Sequence, residues 1–66
     1  MRLINLETLI RALQEQGVDA LYEKLEAVFY TEPIVFIDND GNVVFMPFDT
    51  EEIWDYLEKL YENMEV

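Results

Sequence analysis

Sixty-six residues with 15 acids, four bases, no histidine and no cysteine carry a formal net charge of −11. That inventory excludes disulfides, thiolate metal sites and histidine ligands, and it removes the commonest general base. Four bases cannot make the several phosphate contacts that give nucleic-acid-binding proteins their affinity, and so acidic a chain is repelled by anionic lipid, so direct nucleic-acid and membrane partners are excluded as well.

A chain of this length buries only about 60% of its unfolded surface and is marginally stable without help. The usual helpers are disulfides, a metal or oligomerisation. With the first two unsupported, the 52% apolar content points to self-association or an unusually compact core. The start, Met1 to Glu7, is no signal peptide, because the acid arrives before any apolar stretch develops. No apolar run approaches the roughly 18 residues of a membrane span. The expectation is one soluble, cytoplasmic domain, residues 1–66, without linkers or repeats.

Asn5 reads as the N-cap of a first helix, with Ile4 and Leu9 placed to form a hydrophobic staple. Leu6, Leu9, Ile10 and Leu13 recur at helical spacing, and Glu7, Arg11 and Glu15 line the opposite side. Gly17 stands where a C-terminal stop belongs. Asp19 can cap a second helix whose apolar stripe is Leu21, Tyr22, Leu25, Val28 and Phe29, and Pro33 ends any continuation. The short Gly17-Val18 link makes these two helices an αα-hairpin.

Two apolar runs follow, Ile34-Val35-Phe36-Ile37 and Val43-Val44-Phe45-Met46, around Asp38-Asn39-Asp40-Gly41-Asn42. Asp-Gly between such runs signals a β-hairpin. A two-residue Asp40-Gly41 loop pairs Phe36 with Phe45. A three-residue loop with Gly41 in the left-handed region shifts the register by one. Both runs are apolar at every position, whereas a sheet with one wet face alternates. Both faces therefore need cover, from the helices or from a second copy. Val35, Ile37, Val44, Phe45 and Met46 are the candidate dimer interface.

Asp49 caps a last helix, Glu52 completes a capping-box pattern, and Phe48 and Ile53 occupy staple positions. Ile53, Trp54, Leu57, Leu60, Tyr61 and Met64 form its apolar face as far as about Asn63. The predicted fold is α+β, in the order α-α-β-β-α, with a two-stranded antiparallel hairpin covered by amphipathic helices. That order resembles a truncated winged helix. Its second helix, however, presents Glu23 and Glu26 with only Lys24, a poor surface for reading DNA.

The charge is unevenly spread. Residues 1–30 hold five acids against three bases, and residues 31–66 hold ten acids against Lys59 alone. Glu51, Asp55, Glu58, Glu62 and Glu65 follow one another at steps of 4, 3, 4 and 3, which makes one carboxylate stripe on a helix. Like charges so spaced weaken a helix, so the stripe costs stability. Adjacent turns place the carboxylates roughly 5–6 Å apart. Phosphates along an extended strand lie at roughly 6–7 Å. The stripe can therefore occupy a groove lined with Lys and Arg that otherwise holds DNA or RNA, with Asp38, Asp40 and Asp49 extending the acidic surface. The competing explanation is a solvated face that keeps the chain in solution.

Other chemistry is poorly supplied. Aligning Gly41 with the glycine of a calcium loop puts Phe36 and Pro47 where acids are required, so the segment reads as a hairpin turn. Thr8, Thr31, Thr50, the tyrosines and two lysines have no activating base, and the many carboxylates have no substrate cleft in so small a chain. Tyr56, at the margin of the last helix's apolar face, is the one aromatic candidate for a protein contact. No enzyme, cofactor or metal is expected.

In composition and size the chain is similar to the small acidic inhibitors carried by phages and mobile elements, anti-CRISPR proteins among them. The resemblance implies a decoy that competes with phosphates for a basic surface. The expected function is thus a non-enzymatic acidic module whose partner is a protein with a basic surface. The alternatives are a homo-oligomeric assembly subunit using the apolar hairpin, or an antitoxin-like partner of a basic toxin. Salt separates them, because charge-driven complexes weaken with it and apolar assembly holds or tightens.

Overall fold

A computed structural model of the chain describes residues 1–64. Five elements follow in order: β1 Arg2–Asn5, α1 Leu6–Phe29, β2 Ile34–Ile37, β3 Val43–Phe45 and α2 Thr50–Met64. The α-α-β-β-α order with a two-stranded antiparallel hairpin is therefore corrected to β-α-β-β-α with a three-stranded mixed sheet, ordered β1-β2-β3. The expected hairpin is there, but β1 joins it by pairing parallel to β2, from Arg2 opposite Ile34 to Asn5 opposite Ile37. Its ladder opens with the Arg2 amide donating to the Pro33 carbonyl at 2.8 Å. Four residues are too few to show a period, and the pairing partner lies some thirty positions away, so nothing local announces this strand.

Asn5 ends β1 and starts α1. Its side-chain oxygen accepts from the amides of Glu7 at 2.8 Å and Thr8 at 3.3 Å, the N-cap arrangement. The 24-residue α1 then returns the chain to the start of β2. A straight helix of that length would run about 36 Å, against about 13 Å for a four-residue strand. Gly17 resolves the mismatch by breaking the helix at φ 84°, ψ 172°. The two expected helices are thus present but joined through one residue, with no loop between them. Lys24 Nζ reaches back across the break to Gln16 Oε1 at 2.7 Å. This combination of φ and ψ is essentially confined to glycine. A Cβ at Gly17 would meet no atom within 4 Å, so the cost of adding one is backbone strain alone. Gly17→Ala is expected to lose about 1–3 kcal/mol, read from its urea midpoint. An unchanged midpoint would show that the break relaxes freely.

Leu9 and Leu13 from the first half of α1 and Leu21 and Leu25 from the second pack with Ile34, Phe36, Ile53 and Leu57 in one core. Alternation along β2 places Ile34 and Phe36 on the face toward both helices. Phe36 also stacks on Phe45 (ring centroids 6.4 Å) and Tyr56 (5.3 Å), and Phe45 stacks on Tyr56 at 4.7 Å, which seats α2 over β2 and β3. Tyr56, read as a candidate protein contact, is instead half-buried in this stack, where desolvation pushes its hydroxyl pKa up.

The turn reconciles the two registers the residues allow. The Gly41 amide donates to the Asp38 carbonyl, the Asp38 amide donates to the Asn42 carbonyl, and Gly41 takes φ 85°. This is the three-residue loop, and it pairs Ile37 with Val43. A bulge then sets Val43 and Val44 against Ile37, and Phe36 meets Phe45 after all. Asp38 Oδ1 accepts from the Asp40 and Asn42 amides at 2.9 Å each. These N–H donors, Asn42's foremost, hold its carboxyl below the usual carboxylate range.

Among the described residues no helix is long and apolar enough to cross a membrane.

Candidate protein-binding surfaces

Helix α2 is built to present a charged outer face. Asp49 Oδ1 accepts from the Glu52 amide at 2.9 Å, and Glu52 Oε1 accepts in return from the Phe48 amide at 2.6 Å. The capping box therefore forms, with its return bond one residue earlier than usual. The Phe48–Ile53 staple does not form. Ile53 is buried in the core, while Phe48 is 80% exposed. Ile53 and Leu57 face inward, which turns Glu51, Asp55, Glu58 and Glu62 to solvent. These four carboxylates run along roughly 16 Å of helix axis. Glu65, the fifth residue of the expected stripe, lies outside the described residues.

Among the described residues none of the four is in a salt bridge; the ion pairs present join Glu32 to Arg2 and to the Met1 ammonium. The last turn of α2 carries no base, so Glu62 faces the negative end of the helix dipole as well as its acidic neighbours. The row is therefore electrostatically unfavourable for the folded chain by itself.

Beside the start of the row lies a recess of about 350 Å³ lined by Tyr22, Glu51, Trp54 and Asp55. Trp54 and Tyr22 meet edge to face at 5.1 Å, which ties α2 to the second half of α1. Two half-exposed rings beside two carboxylates suit a guanidinium or ammonium group, by charge and by cation–π attraction. Tyr22 and Trp54 read as core residues from their spacing, and only the packing of α1 on α2 shows that they also line a recess.

The candidate dimer interface is divided by the sheet. Leu3, Val35, Ile37 and Val44 point away from the helices, and Met46 follows Val44 at the same alternation. Val35 is only 3% exposed, whereas Leu3 (57%) and Val44 (43%) are open to solvent. Phe45 points the other way, into the aromatic stack, and cannot belong to the same surface. The expectation that both sheet faces are covered holds on the helix side and at Val35 in the centre of the outer side, and fails at the flanking Leu3 and Val44. At the far end of the open face Phe29, Tyr30, Met46, Pro47 and Phe48 border a cleft of about 390 Å³.

Beyond the carboxyl ends of β1 and β2 the protein's own side chains are linked to one another. Asn5 Nδ2 donates to Asn39 Oδ1 at 2.9 Å, and Asn39 Nδ2 donates to Glu7 Oε1 at 3.0 Å. Among the described residues no group of three or more acids converges to hold a metal ion.

Glu32 ties the chain start to the α1–β2 connection. Its carboxyl is held below the usual range, first by the hydrogen bond from the Met1 ammonium and then by that from Arg2. Both Glu32 and Asp38 have lowered folded-state pKa values, so their contributions are present above the ordinary carboxylate range and lost as pH falls through the lowered values. The urea midpoint is expected to drop below about pH 4. Glu32→Gln together with Asp38→Asn should flatten that acid limb; an unaltered limb would assign it to other groups.

Compared with protein-family models, curated proteins and solved structures, the chain matches none.

Proposed function

We propose that this chain is a non-enzymatic protein-binding module that lays the outer face of α2 on a basic, nucleic-acid-binding surface of a partner, in the manner of a phosphate-mimicking inhibitor. The observation that carries this reading is the row Glu51, Asp55, Glu58 and Glu62, exposed and unpaired among the described residues. A face that serves only solubility normally intersperses both signs, and Lys59 is the only base from residue 31 onward. The recess at Tyr22 and Trp54 supports the reading, because it offers an arginine of the partner an aromatic contact beside Glu51 and Asp55.

The test is a salt titration of the complex between the tagged chain and the basic protein it retains from lysate. Affinity is expected to fall steadily as salt rises, because the contact is made by exposed charges. Affinity that holds or tightens with salt would transfer the contact to an apolar surface.

A further inference from the structure

We infer that the open face of the sheet is where two copies of this chain meet, face to face. The side chains that β1, β2 and β3 direct away from the helices, among them Leu3, Val35 and Val44, are all uncharged. Met46 extends the row, and Phe48 and Tyr30 project at its end, both largely exposed. Isolated apolar residues on a surface are ordinary, but a contiguous set spanning a sheet face marks an interaction site.

Charge identifies the occupant. The chain carries −11, yet none of that charge lies on the outward positions of the strands. A basic partner finds no carboxylate there to pair with, apart from Glu32 at the border, which Arg2 and the Met1 ammonium already neutralise. A second copy meets an equally apolar surface. The molecule measures 33 × 26 × 17 Å, and with Ile53 and Leu57 packed in the core on the helix side of the sheet, the α2 row is turned away from the open face. Stacking two copies on their open faces leaves the rows roughly two molecular thicknesses apart, several times the ~8 Å Debye length at physiological salt. Self-association in this orientation therefore escapes most of the repulsion between the two rows.

Geometry disfavours strand addition at the β3 edge. β3 has three residues, and the bulge at Val43 and Val44 interrupts its ladder, so it is a poor template for adding a strand. The exposed side chains of Leu3, Val43, Val44, Met46, Phe48 and Tyr30 give each copy an apolar surface to bury. Taken with the function proposed above, on which this last consequence rests, the dimer would carry two acidic rows on opposite outer surfaces and engage two basic sites at once.

The test is the solution mass of the purified chain, by light scattering, across a wide concentration range at low and high salt. Wild type is expected at twice the chain mass, with the dimer tightened by salt. Leu3→Glu and Val44→Glu should each revert to the chain mass with an unchanged circular dichroism spectrum. Phe48→Ser, at a highly exposed position outside the strands, should weaken the dimer at least about tenfold and serves if a strand variant fails to fold. Asp55→Lys with Glu58→Lys should stay dimeric. Wild type at the chain mass throughout, or folded variants that remain dimeric, would overturn the inference. A monomer that still binds a basic partner with steep salt dependence would overturn the dimer alone, and a dimer indifferent to basic partners would overturn only the role of the row.

Discussion

Phe36→Ala is expected to leave the chain unfolded at ambient temperature. Phe36 is fully buried in the central strand, faces the leucines of α1, and stacks on both Phe45 and Tyr56. Truncating a buried phenylalanine costs about 3–5 kcal/mol. Each lost aromatic pair adds about 0.5–1.5 kcal/mol. A single core in a chain this short rarely supplies more than about 3–5 kcal/mol in total. The loss therefore matches or exceeds the whole stability. The measurement is a thermal melt by circular dichroism. No cooperative transition is expected for Phe36→Ala, whereas Phe36→Leu, which keeps most of the apolar volume, should melt cooperatively at a lower temperature. A Phe36→Ala melt within a few degrees of wild type would mean that the aromatic stack does not organise the sheet.

Reversing charge at the middle of the α2 row should move binding and stability in opposite directions. Asp55→Lys with Glu58→Lys turns the 51–55, 52–55 and 58–62 pairs from repulsive to attractive, leaves 55–58 like-charged and loses the Asp55–Lys59 attraction, a net reversal of two pairs. Each such helix pair is worth about 0.2–0.5 kcal/mol, so the fold should gain on the order of 1 kcal/mol. For a domain of this size that is about 4–8 °C in melting temperature. The same change puts two cations against a basic partner, and like charges across an interface cost several kcal/mol, on the order of 10²-fold in affinity. A variant that is more stable and has lost its partner cannot be explained by misfolding. A variant that melts higher and binds as before would leave the row with a role in solubility alone.

Much of the local structure was legible in the residues because its chemistry is local. The Asn5 cap, the break at Gly17, the Asp38–Asn42 turn and the Asp49–Glu52 box each depend on side chains within a few positions of the backbone groups they satisfy. The architecture was not legible for the same reason. β1 exists only through its parallel pairing with β2 across α1, and Arg2-Leu3-Ile4-Asn5 reads equally well as the approach to a helix cap. Apolar residues at every strand position call for cover on both faces; the fold covers the side of Ile34 and Phe36, buries Val35 at the centre of the other side, and leaves that side's flanks open at Leu3 and Val44.

The candidate site divides along the same line. The row on α2 followed from spacing within one helix, and Glu51, Asp55, Glu58 and Glu62 lie where that spacing puts them. The interface candidates on the hairpin depended on which way each strand residue faces. Phe45 turned out to belong to the inner stack, while Leu3, on the unforeseen strand, joins the outer face. Phe48 stands at a staple position by spacing, but its amide is held by Glu52 while its ring remains in solvent beside the cleft.

The most direct measurement of the α2 row as a phosphate mimic is competition with duplex DNA. The tagged chain, holding the basic protein it retains at low salt, is titrated with DNA, and the fraction of partner released is followed. Release that rises with DNA and saturates is predicted, because DNA and the row of carboxylates occupy the same surface of the partner. A complex that keeps its partner at saturating DNA, or a ternary complex that carries both, would contradict the account.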